Sequence, residues 1–579
     1  MTKSRLLWHR IKNQKMRFSS TVGFLRETPG DGRIYGVVYV SHNIPDQLMA
    51  GSIYGARITL ENSGDFTWRR DDPGGSRIDL VLRLDGRVVG TYQMPRSMIK
   101  PGEQTTVCFP LNVPHQEGEH PVSLELVDQG AAWFSERGVS PLKMTLNSDA
   151  SKGSSSDDPL EVSRSVNPWH YRPTGGIERS GEGMTFPLFV SKAKGCHLWD
   201  QAGRRYIDYI MAWGSTILGY ADDRIQAAIG DVLEMPPLMP FPSYLEMDVA
   251  RMLTEDIPCA EMVVFGKNGS DVCTVAARLA RLHTGKRVIL CSGYHGWQDF
   301  WVEADGFGVT GVPDRPEPLI HRFRFNDRDD FFRLFKRFKG DLAAVMLEPS
   351  GPGESIQGPE QDADKDFLAT IAEATRSEGA LLVFDEIITG YRYPTGSVQK
   401  ATGIVPDLAC LGKAIGSGMP LAALVGKTHI FEQCMERTHY GPTFKGEVYS
   451  FAAAKAAIQI YRSEPVAETI WDYGTRLKNG LNSLCATTGV NAGCKGPPFR
   501  TALIFHESDA DRLRLKRTFY IQELLKQGIT TYNGIMLPSY AHDDLIMEKT
   551  LEAMGETLER VAYAEKQDKF ERYLEIPIL

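Results

Sequence analysis

The 579-residue chain has no run of about 18 or more apolar residues, so no segment is expected to cross a membrane as a helix. Cysteine is scarce. The nine present (Cys108, Cys196, Cys259, Cys273, Cys291, Cys410, Cys434, Cys485 and Cys494) form no C-x-x-C pair and no His/Cys group at zinc-finger spacing. The sequence therefore offers no disulfide framework and no metal ligands, and the thiols read as reduced core residues of a cytoplasmic protein. Positive charge is not in excess either: 65 Lys+Arg face 73 Asp+Glu, a net charge of -8, which argues against a nucleic-acid partner. A composition of 42% hydrophobic and 24% charged residues excludes a globally disordered chain.

The length implies several domain-sized units. Residues 1–35 form a basic arm: Lys3, Arg5, His9, Arg10, Lys12, Lys15 and Arg17 precede the first acid, Glu27, and no apolar core of a secretory signal follows them. Over residues 36–146 the pattern has period two. Ala56, Ile58 and Leu60 alternate with polar neighbours, as do Val107, Phe109, Leu111 and Val113, and Asp85-Gly86 reads as a hairpin turn. An all-β, Ig-like sandwich is expected there. Residues 147–167 begin NSDASKGSSSDD and read as a linker. From 168 to 579 short apolar runs such as 343–347 and 381–384 alternate with amphipathic stretches, the texture of an α/β fold with a mainly parallel sheet.

Three segments carry chemistry. In GALLVFDEIITGYR (379–392) an apolar strand ends on Asp385, at the kind of strand end where α/β sheets place ligands. In PDLACLGKAIGSGMPLAALVG (406–426) Lys413 lies among Gly412, Gly416 and Gly418, a setting a solvated lysine does not need, and a buried amine there becomes nucleophilic. In FGKNGSDVCTVAARLARLHTG (265–285) Gly269-Ser270 open an amphipathic helix whose free N–H groups suit a phosphate. Each alone has a plain structural explanation, a turn cap or a helix cap. Together an acid for a pyridinium nitrogen, an imine-forming lysine and a phosphate cup are the minimal equipment of a pyridoxal-phosphate enzyme.

The order and texture of these segments resemble the class III aminotransferases of pyridoxal-phosphate fold type I, most of all the glutamate-1-semialdehyde aminomutases. The likeness spans residues 168–579 and is carried by GCHLWDQAGRRYIDYIMAWGSTILGY (195–220), the phosphate segment, GYHGW (293–297), LEP (347–349), FDEIITGYR (384–392) and LGKAIGSGMP (411–420). It implies a fold with a mainly parallel central sheet and a smaller α+β lobe. It also implies pyridoxal 5'-phosphate held by Lys413 as Schiff-base lysine, Asp385 at the ring nitrogen, Ile387 and Tyr294 on the two ring faces, His295 beside them, Glu348 nearby and Gly269 and Ser270 at the phosphate. Thr443 would reach the phosphate of a neighbouring subunit in a homodimer whose active sites lie at the interface. Trp213 matches a pocket-lining position, and Arg392 is a candidate carboxylate clamp.

The chain also departs from the family. Asn268-Gly269-Ser270-Asp271 stands where the phosphate motif usually has Ser and Gly-Thr. EPSGPGES lacks the aminomutase's Asn, leaving Ser350 as its substitute, and Phe444-Lys445-Gly446-Glu447 replaces S-G-N-P, which brings Glu447 to the substrate side. A rebuilt substrate site favours an aminotransferase, moving an amino group from an amino donor to a small oxo compound or keto sugar, over an intramolecular aminomutase, an isomerase. A third reading is a non-catalytic protein whose sandwich binds a glycan or another partner, for which Trp133-Phe134 in LELVDQGAAWFSERG would be the aromatic platform.

Overall fold

A computed structural model describes residues 35–149 and 189–574 apart from short internal stretches, the longest being 70–76, 302–311 and 351–363. The basic arm up to residue 34 and the polar stretch from 150 onward lie outside the described residues. The chain divides into two compact units, 1–170 and 171–579.

The first unit is built from alternating strands, as the period-two pattern requires. Strands Val37–His42, Ile53–Asn62 and Gln104–Asn112 form one antiparallel sheet. Ile78–Leu84, Arg87–Gln93, Gly118–Asp128 and Leu142–Asp149 belong to a second, with Gln47–Met49 at its edge. Ile58, Leu60, Phe109 and Leu111 from one sheet and Leu80, Leu82, Leu124 and Leu126 from the other share a single core. Asp85 and Gly86, at φ 49° and 77°, make the tight hairpin turn read from the sequence. Phe134 is 1% exposed and packs edge-on against Trp68, whereas Trp133 is partly exposed beneath the Arg83 guanidinium, 4.6 Å from its ring centroid.

The second unit is organised by a seven-stranded sheet in the order Met262–Gly266, Ala422–Gly426, Leu408–Leu411, Leu381–Glu386, Leu342–Leu347, Val288–Ser292, Ile320–Arg322. Only Ala422–Gly426 runs against the rest, so the sheet is mainly parallel. Its central strands are apolar up to their carboxyl ends because both faces are covered. Leu381 and Val383 pack with helix Gly269–Thr284 on one side, and Leu382 and Phe384 with helix Lys365–Ser377 on the other. By the same alternation Asp385 falls on the side of helix Gly269–Thr284.

A smaller α+β lobe has its own core. Strands Val190–Lys194, His197–Asp200, Arg205–Asp208 and Ile529–Thr530 form one sheet, and Ala492–Lys495, Thr501–Phe505 and Ile535–Met536 another. Helices Val466–Thr488, Ala510–Lys526 and Asp544–Gln567 cover them, with Tyr209, Tyr473, Leu477, Leu524 and Leu558 in the interior. Gly474 sits mid-helix at the closest approach to segment 497–500, where a Cβ would overlap the Pro498 carbonyl oxygen. Alanine outranks glycine by about 1 kcal/mol inside a helix, but here the clash wins. Gly474→Ala is expected to destabilise the protein by about 1–3 kcal/mol, read by denaturant unfolding; a stabilised variant would contradict this packing.

Candidate active site

Five parallel strands deliver their carboxyl ends to one edge of the large sheet, and each hands over site residues there. Met262–Gly266 leads into the turn before Gly269, Val288–Ser292 into Gly293-Tyr294-His295, Leu342–Leu347 into Glu348, Leu381–Glu386 carries Asp385, and Leu408–Leu411 leads through Gly412 to Lys413.

Asp385 is 3% exposed. A buried carboxylate needs partners, and it has three. Its Oδ1 accepts the Ile387 N–H at 3.1 Å, its Oδ2 meets His295 Nδ1 at 2.8 Å, and the Cys273 thiol donates to Oδ2 at 3.5 Å. With the carboxylate accepting, the His295 proton resides on Nδ1, and Nε2 is left buried without a hydrogen-bond partner, the ring standing edge to face with Trp301.

Helix Gly269–Thr284 begins beside this acid. Asn268 caps it, with Asp271 closing a reciprocal box by accepting from the Asn268 and Lys267 N–H groups. A Cβ at Gly269 would overlap Ile387 Cδ1, and one at Gly412 would come within 3.2 Å of Ile387 Cγ2. The two glycines thus let helix start, strand end and lysine turn close around Ile387. Glu348 Oε1 accepts the Tyr294 N–H at 2.8 Å, and Oε2 faces Arg500 Nη1 at 3.3 Å. Tyr294 itself is 55% exposed, its ring on the open side.

Lys413 has φ 44°, a left-handed conformation uncommon for a side-chain-bearing residue. Burial pushes its amine down to about 8, against the opposing pull of Asp385 and Glu348 and with a smaller push from Arg500 and Arg392. It is the kind of amine that can attack a carbonyl near neutral pH.

The remaining expected residues lie around this cluster. Met211, Ala212 and Trp213 are three successive left-handed residues, φ 48°, 47° and 54°, and Trp213 is 39% exposed. Their backbone is held by Asp208, which accepts from the Ile210 and Met211 N–H groups, and by Tyr220, whose hydroxyl accepts from Ala212. Arg392 is 1% exposed and donates to the carbonyls of Ile388 and Gly214, so its guanidinium ties the Trp213 turn to the strand end of Asp385. Glu447 caps helix Val448–Ser463, accepting from Tyr449 and Ser450, and pairs with Lys267 at 3.0 Å. Thr443 stands apart, lining a cleft of about 620 Å³ with Leu238, Met239, Phe241 and Lys445.

Three residues of the neighbourhood escaped the sequence reading. Cys273 lies one turn into helix Gly269–Thr284, and only helix periodicity hinted at its inward face. Lys267 precedes that helix and holds Glu447. Arg500 follows Pro497-Pro498 and had no local signal at all.

The family profile described as aminotransferase class-III matches residues 178–533. The chain is similar to the 3-aminobutyryl-CoA aminotransferase of Cloacimonas acidaminovorans, 30% identical over 382 residues that cover 65% of this chain and 90% of that protein. It is similar also to the glutamate-1-semialdehyde 2,1-aminomutase of Syntrophobacter fumaroxidans, 31% identical over 415 residues covering 67% and 94%. Among solved structures, the pyridoxal-phosphate internal aldimine form of the FumI protein of Sphingopyxis sp. MTA144 superposes with a TM-score of 0.64 at 27% identity, over 72% of this chain and 98% of that one. An omega-transaminase from Sphaerobacter thermophilus, at 24% identity and TM-score 0.63 over 71% and 98%, shows the shared fold. The non-catalytic reading draws no support from these relatives.

The lowered Lys413 amine makes a direct prediction. Below about pH 8 it is an ammonium without a lone pair, and above it a free base. Reductive trapping of the full chain with a small aldehyde, followed by peptide mapping, should show labelling of Lys413 rising through about pH 8 and levelling above it. Labelling that instead climbs only in the ordinary lysine range, near 10.4, would refute the shift.

Proposed function

The chain belongs to the class-III aminotransferases, enzymes of pyridoxal-phosphate fold type I, and on that premise we propose that it is a pyridoxal-phosphate-dependent aminotransferase passing an amino group from an amino donor to a small, carboxylate-bearing oxo compound. One observation carries the reading: a buried acid, a lysine with a lowered pKa and a helix N-terminus meet at the carboxyl edge of one parallel sheet.

The residues fit the cofactor. The first N–H groups of helix Gly269–Thr284, with the Ser270 hydroxyl, bind its phosphate. Asp385 would hold a proton on the ring nitrogen, and His295, hydrogen-bonded to the same carboxylate, keeps that acid oriented. Ile387 and Tyr294 would supply the two walls against which the ring is held. When bound, pyridoxal phosphate supplies the electron sink that allows a carbon next to nitrogen to lose its proton. Lys413 Nζ would hold the cofactor, and its lowered amine is the base that would take up that proton and return it. Glu348 fixes the Tyr294 turn through its backbone N–H.

Substrate recognition is reassigned within this reading. Arg392 and Glu447 are engaged with the protein's own backbone and with Lys267, so they shape the pocket without binding substrate. Arg500, 3.3 Å from Glu348 with its side chain 14% exposed, is the guanidinium assigned here to the substrate carboxylate. Trp213 forms a wall of the pocket. The same rebuilding supports transfer over aminomutation. Where the aminomutases carry S-G-N-P, Glu447 is spent on a helix cap and on Lys267.

Thr443 serves the phosphate of a second copy in a homodimer. Its surroundings expose Phe241 at 79%, Tyr244 at 83%, Met247 at 58% and Phe444 at 60%, an apolar surface suited to a second copy. The N-terminal two-sheet unit is read as an Ig-like sandwich; its strand Leu142–Asp149 pairs on past the boundary expected at 146, because Asn147 to Asp149 take partners in Gln47–Met49. With Phe134 in the core and Trp133 under Arg83, that aromatic pair makes no open platform, and glycan binding is not part of the reading. No helix among the described residues is long and apolar enough to cross a membrane.

The test is spectroscopic. Protein loaded with pyridoxal phosphate should show the visible band of lysine-bound cofactor, an amino donor should bleach it with release of an oxo product, and Lys413→Ala should lose both band and turnover while keeping its fold. A donor that yields only an isomer, with nothing released, would move the assignment to an aminomutase. Arg500→Ala should raise KM for a carboxylate-bearing acceptor by about ten- to a hundredfold, the worth of a charge-assisted contact. An acceptor without a carboxylate should be affected far less, and equal effects on both would overturn the role of Arg500.

A further inference from the structure

The acid that faces the cofactor ring is part of a second constellation. Cys273, His295 and Asp385 come from a helix, a loop and a strand far apart in sequence, yet their Sγ, imidazole nitrogen and carboxylate oxygen lie within 4.8 Å of one another, all three side chains buried. We infer that these three residues form a binding site for a borderline-soft divalent cation, zinc or cobalt, which occupies the cofactor-free protein and is mutually exclusive with the cofactor.

The donor set is the first argument. A thiolate, an imidazole and a carboxylate together suit zinc and its neighbours and suit magnesium or calcium poorly. Three protein ligands with one open position is the arrangement that leaves zinc exchangeable. Zinc bonds of about 2.3 Å to sulfur and about 2.0–2.2 Å to nitrogen and oxygen place tetrahedral ligand atoms roughly 3.3–3.7 Å apart. The observed separation of Cys273 Sγ from Asp385 Oδ2, 3.5 Å, already meets this, and the His295 Nδ1 to Asp385 Oδ2 contact at 2.8 Å needs to open by about half an ångström.

Charge is the second argument. A buried divalent ion is tolerated when its ligands cancel it. As the cation binds, the Cys273 thiol gives up its proton to solvent, and one thiolate with one carboxylate leaves the cluster neutral. The third argument is the imidazole. With its proton on Nδ1, His295 leaves Nε2 a buried acceptor with no hydrogen-bond partner. Ligation through Nδ1 moves that proton to Nε2, so the atom that now stands as an unpartnered acceptor becomes a donor, in a neighbourhood that includes the Trp301 ring, 5.3 Å from the imidazole between centroids. The Cys410 thiol, which hydrogen-bonds with Cys273, supplies a soft neighbour at the rim.

The exclusion follows from a common ligand. Asp385 is shared: the proposed function needs its carboxylate for the ring nitrogen, and a carboxylate whose charge is spent on a ligated cation does not serve that nitrogen as well. Only this second half rests on the proposed function; the site itself does not. Cation and cofactor would then compete, and free zinc would hold back loading of newly made protein.

Cobalt reports the site directly. The full chain, stripped of cofactor, is titrated with Co²⁺ and followed by the near-ultraviolet thiolate-to-cobalt absorption. The expected result is a band saturating at one equivalent, displaced by zinc and unaffected by magnesium, with Cys273→Ala binding at least about a hundredfold more weakly. No thiolate band, or an undiminished one in Cys273→Ala of unchanged melting temperature, overturns the site. In the wild-type arm, which needs no variant, protein already loaded with pyridoxal phosphate should give no band until the cofactor is removed; a band alongside bound cofactor overturns the exclusion. Failure of the visible cofactor band to form at all would count against the proposed function and leave the cobalt result standing.

Discussion

The constraint on which the catalytic unit depends is a carboxylate kept out of water. Asp385 ends an apolar strand and is 3% exposed, so its charge must be met by the protein. The Ile387 N–H, His295 and Cys273 meet it from the strand's own turn, from a loop and from a helix. Each of these partners is also where another part of the site begins. The Ile387 turn packs against Gly269 and Gly412, the His295 loop brings Tyr294, and the Cys273 helix starts at Gly269. Satisfying one buried charge therefore fixes the relative positions of helix start, Ile387, the Tyr294 turn and the lysine.

Topology makes that convergence possible. Parallel strands end together, and the five carboxyl ends present loops to a common edge without long excursions of chain. The antiparallel strand Ala422–Gly426 keeps the pattern intact because it follows the lysine turn and lies between Met262–Gly266 and Leu408–Leu411, closing the sheet behind the site. The smaller lobe contributes at its own strand ends. Asp208 holds the left-handed turn carrying Trp213, and the Gly474 approach seats the segment bearing Arg500. Arg392 is the strut between the two lobes, and its buried guanidinium, lowered to about 10 by that burial, is committed to backbone carbonyls.

What could be read from the sequence follows from the range of each interaction. Asp385 and Lys413 were legible because an apolar run stopping at an acid, and a lysine framed by glycines, are local patterns. The Asp85-Gly86 hairpin was legible for the same reason. Arg500 was not, since its meeting with Glu348 depends on how a second lobe packs. Cys273 was not, since a thiol in a helix looks the same whether it faces alanines or a carboxylate. Arg392 was misleading because its acceptors are backbone carbonyls, which no side-chain pattern records. Glu447 carried a usable signal, an acid directly before an apolar helical stretch, where N-capping is the simplest explanation. The platform imagined for Trp133-Phe134 failed on alternation: neighbouring residues at a strand end point opposite ways, and Phe134 took the core.

The central claim is that Asp385, held in place by its three hydrogen-bonding neighbours, would keep the cofactor's ring nitrogen protonated. The most direct measurement is the nitrogen-15 chemical shift of ring-labelled pyridoxal phosphate bound to the full chain, compared with that of the Asp385→Asn variant. The account predicts a protonated-pyridinium shift in the wild type that moves to the unprotonated range in the variant. An unprotonated ring nitrogen in the wild type, or the same shift in both proteins, would contradict it.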